Sequence, residues 1–101
     1  MSYLICFSTD LEGSLLREQL SGQPDFRLVC TGVGAVNAAH AVTLAIAERK
    51  PAAVVACGIG GAYPASGLAI GDVVCADVEC YGDLGAQSHR VPGGGAIGPL
   101  F

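Results

Sequence analysis

The chain has 101 residues, half of them hydrophobic, which is enough for one small domain with a packed core. Its formal net charge is −4 and its five basic residues form no stripe, which argues against a nucleic-acid surface. No apolar run approaches the roughly 18 residues of a membrane span, and the N-terminus lacks the basic region of a signal peptide. These features predict a cytoplasmic protein that binds neither membranes nor nucleic acids.

The cysteines give a second exclusion. There are five, with no C-x-x-C pair, and most lie in apolar, strand-like runs: Cys6, Cys30, Cys57, Cys75 and Cys80. We therefore expect buried, reduced thiols rather than a disulfide framework. His40 and His89 stand far from any paired-ligand spacing, so no metal site is predicted.

Strands and helices alternate along the chain. The sequence predicts strands at residues 3–7, 26–31, 52–57 and 72–80, and helices at 10–20 and 35–49. This order is typical of an α/β fold with a three-layer, mostly parallel central sheet. The apolar run at 52–57 is typical of a strand buried on both faces.

The first predicted helix has an expected N-cap and an expected apolar face. Thr9 or Asp10 is the expected N-cap of the first helix, with Glu12 in its first turn. Four leucines are expected on one face of that helix: Leu11, Leu15, Leu16 and Leu20.

The domain organisation divides near residue 87. Residues 1–87 carry the alternating pattern, whereas residues 88–101 form a Gly/Pro-rich segment without periodicity and are expected to be an irregular tail. A doubly wound fold usually has more strands and a closing helix. We therefore expect an incomplete fold, either the N-terminal part of a larger protein or a truncated gene product.

Glycine-rich loops follow two of the predicted strands, at residues 32–34 and 58–61. A dinucleotide fingerprint needs a third glycine where Asn37 and Tyr63 stand, and neither loop has a P-loop ending. The first loop is interpreted as a strand-to-helix turn. The second is interpreted as a ligand loop at the carboxyl end of a strand, with a simple turn as the alternative.

Three motifs in this order resemble the nucleoside phosphorylase and nucleosidase superfamily: residues 31–39 (TGVGAVNAA), 57–64 (CGIGGAYP) and 67–74 (GLAIGDVV). Within it, residues 81–86 (YGDLGA) are similar to a segment of the futalosine hydrolases of menaquinone biosynthesis. The methylthioadenosine nucleosidases carry a hairpin after the first helix that this chain lacks. The resemblance covers about residues 3–87. It implies a homo-oligomeric enzyme without a cofactor that splits a purine nucleoside between ribose and base.

The resemblance also implies a catalytic role for Glu12. Residues 9–12 (TDLE) match the hydrolase segment whose glutamate activates water, whereas phosphorylases place glycine and arginine near this point to hold phosphate. A carboxylate stabilises positive charge developing on the ribose and accepts a proton from water. On composition alone, a solvated glutamate at a helix N-terminus is the simpler interpretation of Glu12.

The remaining site residues follow from the same resemblance. The residues expected to bind the substrate are Thr9, Gly58, Ile59, Gly60, Gly61 and Asp83. Adenosine-cleaving relatives have serine at the position of Ile59, which argues against methylthioadenosine cleavage. Asp83 is alternatively a loop-capping aspartate.

Other functions stay open at this point. No residue after Asp83 is a candidate for the acid that protonates the leaving base, so we expect little activity from the isolated polypeptide. The alternatives to futalosine cleavage are a methylthioadenosine/adenosylhomocysteine nucleosidase and a purine nucleoside phosphorylase. A third alternative is an inactive module for ligand binding or oligomerisation.

Overall fold

The computed structural model describes residues 1–82, together with the backbone of residues 86–87 and 96–97. The chain divides into two compact units, Met1–Gly61 and Ala62–Phe101. The elements of the first unit are β1 (Tyr3–Phe7), α1 (Asp10–Leu20), β2 (Phe26–Cys30), α2 (Ala35–Glu48) and β3 (Ala53–Ala56). In the second unit, a 3₁₀ turn (Pro64–Ser66) is followed by β4 (Ala86–Gln87) and β5 (Ala96–Ile97).

The sheet of the first unit is parallel and has the strand order β2-β1-β3. Tyr3 at the start of β1 stands opposite Phe26 of β2 and Ala53 of β3; β1 and β2 end opposite each other, and β3 ends one residue earlier at the same edge of the sheet. Helices follow β1 and β2, as parallel connections require. The predicted α/β class with a mostly parallel, incomplete central sheet is confirmed.

The buried core of this unit is small. It consists of four consecutive residues of β1, from Leu4 to Phe7, and Ala45 of α2. Gly13 of α1 is also buried and lies against the Phe7 ring, so that the helix backbone approaches the sheet closely. A glycine turn introduces α2: Gly32 and Gly34 have φ values of +82° and +97°, which L side chains rarely adopt.

The predicted leucine face of α1 is wrong in part. Leu16 and Leu20 are half-buried, but Leu11 and Leu15 are exposed. The reason is that the helix packs on the sheet through Gly13. Leu11 and Leu15, four residues apart, share a face that this contact does not cover.

Two strand predictions are corrected as well. Val54 and Val55 of β3 are 42% and 48% exposed, so β3 is not covered on both faces by the described residues, among which it is also the edge strand of its sheet. Residues 72–80 form no strand, although valines recur in them. A strand requires a hydrogen-bonding neighbour, and the described residues pair none with this segment. The turn before it is ordered by Asp72, whose carboxylate accepts the Ala69 N–H at 2.8 Å.

The prediction for the thiols also changes. All five cysteines are free, but only Cys6 is buried; Cys57 is half-buried and the other three are exposed. Among the described strands, β2, which ends at Cys30, is an edge strand, and none pairs with the segment holding Cys75 and Cys80, in agreement with the exposure of these thiols. In the predicted irregular tail, Ala96–Ile97 pairs antiparallel with Ala86–Gln87. Among the helices that the structure describes, none is both long and apolar enough to cross a membrane.

Candidate functional site

The site is built around Glu12 in the first turn of α1. Thr9 is the N-cap, and its hydroxyl oxygen accepts the Glu12 N–H at 3.3 Å. In return, Oε2 of Glu12 accepts the Thr9 N–H at 3.1 Å and the Thr9 hydroxyl at 2.8 Å. This is a capping box, in which a threonine and a glutamate three residues later satisfy the free N–H groups of the helix start. The Thr9 prediction for the N-cap is confirmed.

The second side of the site comes from the loop after β3. The Ile59 N–H donates to Oε1 of Glu12 at 3.1 Å, across 47 residues of sequence. The parallel register explains the meeting, since Cys6 stands opposite Ala56 and both strands end at the same edge of the sheet. The loop beginning at Gly58 therefore leaves that edge beside the start of α1.

Gly58 has a specific steric role in this contact. A Cβ atom at residue 58 would lie 2.9 Å from Oε1 of Glu12 and 3.5 Å from its Cδ. A contact under 3.0 Å would force the carboxylate, the end of a flexible side chain, to shift, so glycine lets it lie against the Ile59 amide. A Cβ atom added at Gly60 or Gly61 would meet no other atom within 4 Å.

Hydrogen bonding makes Glu12 a stronger acid than an ordinary glutamate. The Ile59 N–H lowers the pKa of Glu12 most, followed by the Thr9 hydroxyl; partial burial opposes them and the Thr9 N–H adds to them. The neighbouring Asp10 is engaged elsewhere, because it accepts from Arg17 at 2.9 Å. Glu12 is therefore an anion at neutral pH.

The predicted site residues separate into three groups. The structure brings together Thr9, Glu12, Gly58 and Ile59. Gly60 and Gly61 continue the same loop and are exposed. A Cβ atom added at either residue would not reach Glu12. Asp83 lies outside the described residues.

One feature of the site was missed by the sequence analysis. Ile59 is predicted to bind the substrate as part of the glycine loop, but in the structure its side chain is 79% exposed and its backbone N–H contacts Glu12. The available signal was Gly58 immediately before it, since a glycine admits a close approach to the backbone. Among the described residues, no group of three or more His, Cys, Asp or Glu side chains is placed to hold a metal ion.

Comparisons with known proteins agree with this architecture. Residues 8–99 match the model of the phosphorylase superfamily. The 5'-methylthioadenosine/S-adenosylhomocysteine nucleosidases of Listeria monocytogenes serotype 4a and Listeria welshimeri are each 42% identical to the chain over 57 residues. That alignment covers 56% of this chain and 24% of each relative, so the matched region spans about a quarter of their length. No solved structure matches the chain. Because the family match takes in nearly the whole sequence, the chain belongs to the phosphorylase superfamily.

Proposed function

We propose that the protein hydrolyses the N-glycosidic bond of a purine nucleoside, with water as the nucleophile and Glu12 as its base. The observation that carries this proposal is the anchored Glu12 carboxylate, which three N–H and O–H donors hold at the mouth of the glycine loop. Family membership supports the class of bond. The names of the nucleosidase relatives support hydrolysis.

The chemistry suits an ionised carboxylate. Cleavage of a glycosidic bond passes through an oxocarbenium-like state, so positive charge develops on the ribose. A fixed anion nearby stabilises that charge without reorganising. The low pKa makes Glu12 a weak base, but a water molecule that attacks a cation loses its proton readily. A weak base that is ionised at neutral pH is therefore sufficient.

The charge of the site favours water over phosphate as the nucleophile. Glu12 is an anion and would repel phosphate. The nearest basic residue along the chain, Arg17, is held by Asp10 at 2.9 Å, and its guanidinium lies 5.2 Å from the centre of the Phe7 ring. A purine nucleoside phosphorylase is therefore the weaker candidate.

For the substrate we propose futalosine, which would give hypoxanthine and dehypoxanthine futalosine in menaquinone biosynthesis. The support is the resemblance of residues 81–86 and the isoleucine at position 59, where adenosine-cleaving relatives have serine. Methylthioadenosine and adenosylhomocysteine are the second candidate substrates, because the relatives from Listeria are named as nucleosidases of these two compounds.

We also propose that the protein works as a homo-oligomer in the cytoplasm. The edge of β3, with Val54 and Val55 exposed, supports the oligomer, since an open strand edge is a ready surface for pairing. Five free thiols support a reducing compartment.

Glu12→Gln tests the proposed reaction. Glutamine keeps the shape of the side chain and also serves in capping boxes, so the helix start is preserved while the charge is removed. We expect the cleavage rate to fall by about 10²–10⁴. Base release is followed by chromatography for futalosine and methylthioadenosine, with and without phosphate, at enzyme excess so that slow cleavage is detected.

The matched control is Glu18→Gln, because Glu18 is an exposed glutamate on the same helix. This variant should cleave the nucleoside at the wild-type rate. Equal rates for Glu12→Gln and wild type would remove Glu12 from the mechanism. Phosphate-dependent turnover would support a phosphorylase. Tight nucleoside binding without any turnover would support the inactive binding module.

A further inference from the structure

We propose that Thr9 and the Gly58–Ile59 backbone are positioning residues for Glu12, and that together they leave a single acceptor site, at Oε1, for the nucleophilic water. This inference rests on the proposed function. It reassigns Thr9 and Gly58 from binding the substrate to orienting the catalytic carboxylate.

The assignment of the water to Oε1 follows from the hydrogen bonds of the carboxylate. An ionised carboxylate has about four acceptor sites, two on each oxygen. Both sites of Oε2 are used, one by the Thr9 N–H and one by the Thr9 hydroxyl. Among the residues that the structure describes, Oε1 accepts only from the Ile59 N–H. The remaining site is therefore on the oxygen that faces the glycine loop.

Thr9 has no proton left for a substrate. A threonine hydroxyl donates one hydrogen bond, and that of Thr9 goes to Oε2 of Glu12 at 2.8 Å. The same oxygen also accepts the Glu12 N–H. Because both atoms of the hydroxyl serve Glu12, its effect on the reaction passes through the glutamate.

Gly58 acts from the opposite side. Because residue 58 has no side chain, Oε1 can lie where a Cβ atom of that residue would come within 2.9 Å of it, whereas Gly60 and Gly61 have open space around them. A methyl group at residue 58 would displace Oε1 from the Ile59 amide. Of the three loop glycines, Gly58 is therefore the one that Glu12 requires.

Within the described part of the chain, the titration of Glu12 reports on this arrangement without a contribution from another charged side chain. On α1, Asp10 and Arg17 pair with each other, and Glu18 is exposed. The strand ends beside the site carry the thiols Cys6 and Cys57. None of these groups contributes to the low pKa of Glu12, which comes from Ile59 and Thr9.

The test compares Thr9→Val with Thr9→Ser in the full chain. Valine removes the hydroxyl at nearly constant shape, and serine keeps it. The ionisation of Glu12 is followed by ¹³C NMR of its carboxyl carbon, and the pH profile of kcat/KM is measured in parallel. We expect Thr9→Val to raise the pKa of Glu12 and to move the acid limb of the profile to higher pH. Thr9→Ser should restore both.

Gly58→Ala examines the other side of the carboxylate. We expect kcat to fall by about 10²-fold, with a smaller change in KM, because the reacting group is misplaced while the substrate contacts remain. The pKa of Glu12 should rise in Gly58→Ala and stay unchanged in Gly60→Ala. Should Gly58→Ala fail to fold, the threonine pair still decides the matter.

An unchanged Glu12 pKa in Thr9→Val would overturn the inference. An unchanged pH profile accompanied by a shifted pKa would instead overturn the proposed function, since Glu12 would then be held as described without serving the reaction. The NMR readout thus separates the two failures.

Discussion

Gly13→Ala is the substitution for which the structure makes the sharpest prediction. Gly13 is the buried residue of α1, and a Cβ atom there would lie 2.1 to 2.5 Å from three atoms of the Phe7 ring. Phe7 is 2% exposed, so the ring has little freedom to move away. The helix would have to retreat from β1 by more than an ångström.

The magnitude follows from two opposing effects. In an ordinary helix, alanine is more stable than glycine by about 1 kcal/mol. Overpacking a core costs about 1–3 kcal/mol, and contacts this short belong at the upper end of that range. We therefore expect a net destabilisation of about 2 kcal/mol, which lowers Tm by roughly 10 °C in a domain of this size.

The assay is urea denaturation followed by circular dichroism. Ser14→Ala, the exposed neighbour on the same helix, is the control and should change the free energy of unfolding by less than about 0.5 kcal/mol. The double variant Phe7→Leu/Gly13→Ala should be more stable than additivity predicts, because the smaller side chain makes room. A Gly13→Ala protein as stable as the wild type, or strict additivity in the double variant, would refute the reasoning.

Two further predictions concern stability. The Arg27 guanidinium donates to the carbonyls of Ala45 (3.1 Å) and Arg49 at the end of α2, so Arg27→Met should lower the free energy of unfolding by about 2 kcal/mol in urea denaturation. Glu48→Gln removes only the ion pair of the exposed Glu48 with Arg27, at 3.8 Å, and should lower it by less than about 1 kcal/mol. The folded-state pKa of Glu12 lies below the ordinary value of about 4.3, so its contribution to stability is present above that pH and disappears as the pH falls through the folded value. The urea midpoint of the wild type should therefore fall more steeply in acid than that of Glu12→Gln, and parallel curves would contradict the assigned shift.

Local signals in the sequence were sufficient for the first half of the fold. The bounds of β1 and α1 agree with the prediction, because a β-branched and aromatic run and a threonine cap are signals read within a few residues. The turn at Gly32 and Gly34 was predicted for the same reason. Each of these elements depends on neighbours in the chain more than on distant contacts.

The predictions that are wrong concern segments whose structure depends on the strands and helices that pair with them or pack against them. Residues 72–80 have the composition of a strand but no pairing partner among the described strands, and β3 has the composition of a central strand but an edge position. Exposure of Leu11 depends on how close Gly13 allows α1 to approach β1. Composition describes what a segment prefers, whereas these outcomes are determined by its neighbours.

The two interpretations of Glu12 are compatible for a geometric reason. The sequence T-x-x-E predicts a capping box equally well as a catalytic glutamate, so a local pattern cannot decide between them. Capping occupies Oε2 through Thr9, and the cap by itself makes no use of Oε1. The Ile59 N–H, brought in from the end of β3, orients that second oxygen and lowers the pKa of Glu12. A helix cap alone does not need this contact, and that is why the long-range bond, rather than the local motif, supports a role in catalysis.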